Sequence, residues 1–354
     1  AQCWLDRSLQ LAFYDDETLQ ELAACDVAVL PMHALLSPEG VPQIRRVRQL
    51  NADIVILGEF PILSWKDFWG TSQHRERFPL VGPVYDMLSR HPAYTTDGER
   101  ALMWSQAPMM NPWTPNGYNE ALLLDLVDHI CTIASQYPGV MDGFFHDYLS
   151  ARPWMQGTVS GEGEGWVDLD GDGVDSREDP EENVAWLEWQ RRLLAELRMR
   201  FGSGLIQVGN GKLPHDDQVI ANSLNGIVYE AFPTSVWNFT DRNGFERAVD
   251  HVQPGWLTPT RGRHWSLLWD RSGVRPDFCR ISSLLTGQFY GLTDLGGPVT
   301  RDRTMQPVAA TGNPLVATPV VNDGVVYTRA YAEGTARVEF APSGGTLSMG
   351  FVFD

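Results

Sequence analysis

Apolar residues in this chain fall into short runs separated by longer stretches of helical spacing. Runs rich in β-branched and aromatic residues occur at Leu11 to Tyr14, Val27 to Pro31, Asp53 to Phe60, Gly143 to Leu149, Leu205 to Asn210, Gly226 to Phe232, His264 to Asp270 and Gln288 to Leu292. Between them, Tyr118 to Gln136 keeps its apolar residues on one helical face and stops before Pro138-Gly139. Glu181 to Phe201 does the same, with Gly202 as its stop. Strands alternating with helices predict a parallel α/β fold, and eight such runs predict a TIM (β/α)8 barrel. The stretch from Pro61 to Pro115, rich in Trp, Pro and Gly, fits neither period and is expected to build one wall of a site.

After Pro298 the pattern changes to short β-branched runs, Gly324 to Ala330, Ala336 to Phe340 and Leu347 to Phe353, broken by Gly, Pro and Asn. These predict a small C-terminal antiparallel β-subdomain over 298–354, following a barrel over 1–297. No run approaches the roughly 18 consecutive apolar residues of a membrane span. The chain begins at Ala1, and a secreted, monomeric protein is expected.

Composition narrows the class. The 43% hydrophobic and 20% charged residues describe a packed globular protein. Asp and Glu outnumber Lys and Arg by 45 to 27, giving a net charge of −18 with no basic stripe, which argues against nucleic acid as a partner. Cys3, Cys25, Cys131 and Cys279 lie far apart and form no CxxC pair, so neither a zinc ribbon nor a redox motif is suggested; Cys3 with Cys25 is one open pairing. Gly209-Asn-Gly-Lys212 lacks the spacing of a phosphate loop.

Part of the acidic excess is local. Asp168-Leu-Asp170-Gly-Asp172-Gly173-Val174-Asp175-Ser176-Arg177-Glu178-Asp179 sets carboxylates at loop positions 1, 3 and 5, Gly at 6 and an acid at 12. Calcium takes about six to eight hard oxygens from such a loop, with position 7, Val174, giving its backbone carbonyl. Asp179 replaces the usual Glu at position 12, as in dockerin-type loops. A structural Ca2+ is therefore expected on Asp168, Asp170, Asp172, Val174 and Asp179, within an insertion spanning 160–182 that follows the fourth strand. No helix–loop–helix pair is evident around it, which argues against a calcium sensor.

Candidate chemistry sits at strand ends. Val140 to Tyr148 is an apolar strand ending in acidic and aromatic residues, and alternation places Gly143, Phe145 and Asp147 on one face. Gly226 to Phe232 repeats the plan, with Val228 and Glu230 sharing a face. Two carboxylates at the C-terminal ends of barrel strands suit glycosidic cleavage, with Asp147 as nucleophile and Glu230 as acid/base. Tyr14, Glu59, His146, Tyr148, Asn210, Trp269 and Asp270 stand at or beside strand ends, and Trp104 and Trp237 offer flat faces for sugar rings; these are the candidate substrate contacts. A strand-end acid also serves as a helix cap or ion-pair partner in many proteins, and His146 reads equally as a packed core histidine.

Tyr137-Pro-Gly-Val-Met-Asp-Gly-Phe-Phe-His-Asp147 resembles the fourth-strand segment, YPGVDGIFLDD, of glycoside hydrolase-like barrel families. Gly291-Leu-Thr-Asp294-Leu-Gly-Gly-Pro298 followed by Gly324-Val-Val-Tyr-Thr-Arg329 resembles their C-terminal ending. The resemblance implies a barrel with a C-terminal β-subdomain, related in plan to endo-α-1,4-polygalactosaminidases, whose fourth-strand Asp and later Glu match Asp147 and Glu230. His146 departs from the usual Asp pair, and the acidic loop is an insertion. The expectation is a retaining glycoside hydrolase acting on a polysaccharide or amino-sugar polymer. The alternative is a catalytically silent carbohydrate-binding barrel. A metal-dependent hydrolase built on His146 and Asp147 ranks last, since no HxH or HExxH pattern supports it.

Overall fold

The computed structural model describes residues 3–5, 15–159, 166–211, 217–230, 265–270, 285, 289–292, 320–322, 326–331, 334–342 and 346–353. Eight strands of the main sheet follow one another along the chain, the first six alternating with helices among the described residues: β1 (Cys3–Leu5), α1 (Asp16–Ala23), β2 (Val27–Pro31), α2 (Gly40–Leu50), β3 (Val55–Glu59), α3 (Glu120–Gln136), β4 (Gly143–His146), α4 (Pro180–Phe201), β5 (Ile206–Asn210), α5 (Gln218–Ser223), β6 (Gly226–Glu230), β7 (Trp265–Asp270) and β8 (Phe289–Leu292). A strand was expected over Leu11 to Tyr14, but 11–14 lie outside the described residues. The first strand is instead Cys3–Leu5, parallel to β2 in the register Trp4↔Ala28. Only three residues long, it carries too little pattern to stand out.

The chain divides into two compact units, one of residues 31–45 and 57–224, the other of 1–30, 46–56 and 225–354. In the first, β4 lies between the end of β3 and β5, all parallel, in the registers Leu57↔Gly143 and Ile206↔Gly143. Gly143 is required there, because a Cβ would come within 1.8 Å of the Ile206 carbonyl oxygen. α3 begins at Asn119, whose side chain accepts the Leu122 N–H. α4 begins at Asp179, whose side chain caps the Glu181 and Glu182 N–H groups, with Pro180 at the first helical position; Gly202, at φ +84°, ends it. Its buried residues, Trp186, Trp189, Gln190, Leu193, Leu194 and Leu197, repeat at helical spacing. Leu194 packs with Leu149, Ile220 and Leu224 in one buried cluster. Burial of each such leucine contributes about 2 kcal/mol.

The stretch from Pro61 to Pro115 folds into short helices and small antiparallel pairings. Ala101–Trp104 pairs with both Ala107–Pro108 and Gly157–Thr158, and Tyr94–Thr95 pairs with Val167–Asp168.

In the other unit, β6, β7 and β8 are parallel, with Glu230 level with Trp269 and Trp269 with Gly291; β1 runs close to β8. The same unit holds a four-stranded antiparallel sheet of β9 (Val320–Asn322), β10 (Val326–Tyr331), β11 (Gly334–Phe340) and β12 (Thr346–Phe353). β11 alternates buried and half-buried residues, as a sheet with one covered face requires. Among the described residues, no helix is long and apolar enough to cross a membrane.

Candidate functional site

β4 ends at His146, so Asp147 occupies the first position beyond the strand. Its side chain is buried, 7% exposed, and Oδ1 accepts a hydrogen bond from Asn210 Nδ2 at 2.8 Å. Asn210 ends the adjacent strand β5 and is itself buried. The fold therefore places a carboxylate and its amide donor side by side at the C-terminal ends of neighbouring parallel strands, where α/β proteins gather functional groups.

The backbone beyond Asp147 is held tightly. Tyr148 sits at φ +61°, a left-handed conformation costing a non-glycine residue roughly 1–2 kcal/mol. Around it, Leu149 N–H donates to the Asn210 carbonyl at 2.7 Å, and Ser150 N–H to Gln190 Oε1 at 3.0 Å. The Ser150 carbonyl accepts from both Gln190 Nε2 at 2.8 Å and Trp186 Nε1 at 3.1 Å. Gly211, at φ +118°, passes so close that a Cβ would lie 2.4 Å from the Leu149 carbonyl oxygen. These anchors oppose the strain and fix where the carboxylate points.

Aromatic rings surround this turn. Tyr148 meets Trp104 edge-on with ring centroids 5.9 Å apart, and the Trp154 ring lies 5.4 Å from it. Burial pushes the Tyr148 phenol up; the Ser150 side chain opposes this, and the Asp147 charge adds to it. Trp154 is 42% exposed and offers a ring to solvent.

His146 faces the other way. It is buried, bonded through Nε2 to Gln207 Oε1 at 3.0 Å, and stacked against Phe144. Gln207 in turn donates to the Leu194 carbonyl on α4. Burial holds the imidazole down to about 4, with the Gln207 bond opposing and the Arg198 charge assisting. His146, expected as a substrate contact, is therefore placed as a buried side chain bonded to β5.

The remaining candidates divide by what is described. Glu59 is half-buried at the end of β3, level with Phe145. Glu230, Trp269 and Asp270 hold the ends of β6 and β7 by backbone position. Tyr14 and Trp237 lie outside the described residues. Trp65 and Trp69 are buried in the core. Sequence reading missed the anchoring role of Gln190 and Trp186; their place on the buried face of α4 was the available signal.

The acidic loop is folded around its own backbone. Asp168, buried, accepts the Gly171 N–H at 2.7 Å on Oδ1 and the Gly173 N–H at 2.8 Å on Oδ2. Asp170 and Asp172 cap the N–H groups of Asp172 and Val174. Gly173 takes φ +88°, the conformation for which glycine stands at the sixth position. Two groups of carboxylates each have oxygens within 4.8 Å of one another: Asp168, Asp170 and Glu182, and Asp170, Asp172 and Asp179. Glu182 lies outside the 12-residue pattern, three residues into α4, and is 1% exposed. Burial pushes its carboxyl up to about 7; the Ser176 and Asp170 hydrogen bonds oppose this, and the charges of Asp170 and Asp168 add to it.

Beside this loop lies a cavity of about 740 Å3, walled by residues 168–171 and Gly173 on one side and by Arg90, His91, Tyr94, Asn111 and Trp113 on the other. Asp147 is not part of its lining. The cysteines show no reactive arrangement among the described residues: Cys25 is buried with its thiol toward the Glu21 carbonyl, and burial pushes the Cys131 thiol up to about 11.

No family model and no curated protein matches the chain. Among solved structures, it is similar to a family 89 glycoside hydrolase from Clostridium perfringens bound to 2-acetamido-1,2-dideoxynojirmycin, at 7% identity over 79% of this chain and 33% of that one, TM-score 0.41. It is also similar to a Thermus thermophilus protein, at 11% identity over 91% and 77% of the two chains, TM-score 0.44. A third likeness is to a family GH18 chitinase from Chromobacterium violaceum, at 11% identity over 80% and 70%, TM-score 0.37. The chain spans about a third of the family 89 enzyme, 33%. Likenesses this distant carry no argument about activity or substrate.

Proposed function

We propose that this chain is a glycoside hydrolase of (β/α)8-barrel plan that cleaves a polysaccharide or amino-sugar polymer with retention at the anomeric carbon. The observation that carries the reading is the buried Asp147 carboxylate at the end of β4, oriented by the Asn210 amide and followed by a strained tyrosine flanked by Trp104 and Trp154. Strain held by surrounding bonds at a strand end is a frequent mark of a functional site. Aromatic faces beside an acid suit a ligand that is flat on its C–H face and polar at its edge, which describes a sugar ring.

Asp147 serves as nucleophile. Its oxygen forms a bond to the anomeric carbon as the glycosidic C–O bond breaks, and a protonated carboxyl gives its proton to the departing oxygen. Water then attacks the same carbon, loses its proton to that second carboxylate and releases Asp147. Glu230, at the end of β6, is proposed for this acid/base role from its sequence position. The strand order β1 to β8 and the antiparallel sheet of β9 to β12 support the barrel-plus-subdomain plan.

A panel of polymeric glycans, with amino-sugar polymers included, provides the test. On any substrate the protein cleaves, Asp147→Asn and Glu230→Gln should each lower turnover by about a thousandfold while the protein still folds, as circular dichroism and a cooperative melt would show. Product NMR should show retained configuration. Unchanged turnover in either variant removes that residue from the mechanism, and inversion removes the nucleophile role.

A further inference from the structure

We propose that the acidic loop is a calcium site whose ligand shell is completed by Glu182 of α4, a residue the 12-residue loop pattern does not contain. The loop alone would be a cluster of surface acids. Glu182 changes that. It is 1% exposed, one carboxylate oxygen accepts the Asp170 N–H, and the other, Oε2, has no hydrogen-bond partner. A carboxylate oxygen of Glu182 lies within 4.8 Å of ligand oxygens of both Asp168 and Asp170. A buried carboxylate with one unpartnered oxygen, set beside two further carboxylates, is costly in a finished protein and favourable beside a hard dication.

Chemistry selects the ion. Every available donor is an oxygen, with no His or Cys in either group, and hard oxygen donors on a flexible loop suit calcium rather than zinc. Asp170 belongs to both groups and so is the shared centre. Asp179 is short at the position where a longer Glu is usual, and its Oδ1 already caps α4. Glu182, on the first turn of that helix, supplies the longer reach. The ion would thus tie the loop to the start of α4 and hold the loop wall of the adjacent cavity.

The test uses the full chain, stripped with chelator and dialysed, and does not require hydrolysis, so it stands apart from the glycosidase reading. Millimolar calcium should raise the melting temperature, with magnesium doing much less. By calorimetric titration, Asp170→Asn should lose calcium binding and Glu182→Gln should weaken it about tenfold or more. In chelator, Glu182→Gln should melt at or above the wild type, because Gln keeps an acceptor for the Asp170 N–H and removes a buried charge. An unresponsive wild type overturns the site, and an equal magnesium response overturns the choice of ion. Undiminished calcium affinity in Glu182→Gln, or an equal loss of stability with and without calcium, overturns Glu182 as ligand.

Discussion

Two buried carboxylates in one unit of this protein are treated in opposite ways. Asp147 has an amide donor 2.8 Å away, and the turn behind it is pinned by Gln190, Trp186 and Asn210. Glu182 has one backbone donor, one oxygen with no partner, and two acids for neighbours. The first site is satisfied by groups the chain itself provides, as low-dielectric interiors demand. The second is the one for which a cation from outside is proposed. Self-sufficiency at the strand ends and dependence at the loop are therefore the properties to challenge.

The largest expected effect strikes the strand end through His146. Its folded pKa of about 4 lies below the unfolded value of about 6.5, so its contribution is fully present above pH 6.5 and is lost as pH falls toward 4. That range corresponds to roughly 3 kcal/mol, taken at about 1.4 kcal/mol per pH unit. Urea unfolding at pH 7.5 and near pH 4 should show His146→Gln losing less stability on acidification than the wild type, by about that amount. Parallel losses in the two proteins would mean that His146 is not sealed away from protons.

His146 also marks how far the sequence could be read. Alternation along Gly143 to Asp147 separated its face from that of Asp147, because a strand has a strict period of two. The pattern could not say which face meets a helix, and only the Gln207 bond and the Leu194 carbonyl beyond it decide that. α3 and α4 were legible because their apolar faces repeat for 17 and 22 residues and because Pro138-Gly139 and Gly202 mark their ends, while the caps at Asn119 and Asp179 emerge from the structure. β1 was not, at three residues. Glu182 escaped the loop motif because it reaches the cluster through the helical turn after Asp179, a contact that depends on folding rather than on spacing.

A smaller effect tests the amide donor. Asn210→Ala removes the hydrogen bond to Asp147 and should cost about 2 kcal/mol in urea unfolding at pH 7, as bonds to charged groups do. The same substitution made in Asp147→Asn should cost less, since the charge is gone; a coupling of about 1 kcal/mol is expected from the double-mutant cycle. Zero coupling would make Asn210 a packing residue. The comparison is sharpest against Glu182→Gln in chelator, where altering a buried acid should cost nothing.

The smallest effect probes the anchoring of the turn. Ser150 offers its carbonyl to two donors, Gln190 Nε2 at 2.8 Å and Trp186 Nε1 at 3.1 Å. Trp186→Phe removes one and leaves the other, along with most of the buried ring area, so no acceptor is stranded. The expected loss is about 1 kcal/mol, the net worth of one neutral hydrogen bond. If the turn opens locally, amide exchange at Leu149 and Ser150 should quicken about fivefold, while Gly171 and Gly173 in the acidic loop, where calcium is proposed to bind, stay as they were. A loss above roughly 3 kcal/mol would show that the turn hangs on a single bond. Exchange that quickens equally at both places would show that strand end and loop open together, and the contrast between a self-sufficient site and an ion-dependent one would then be lost.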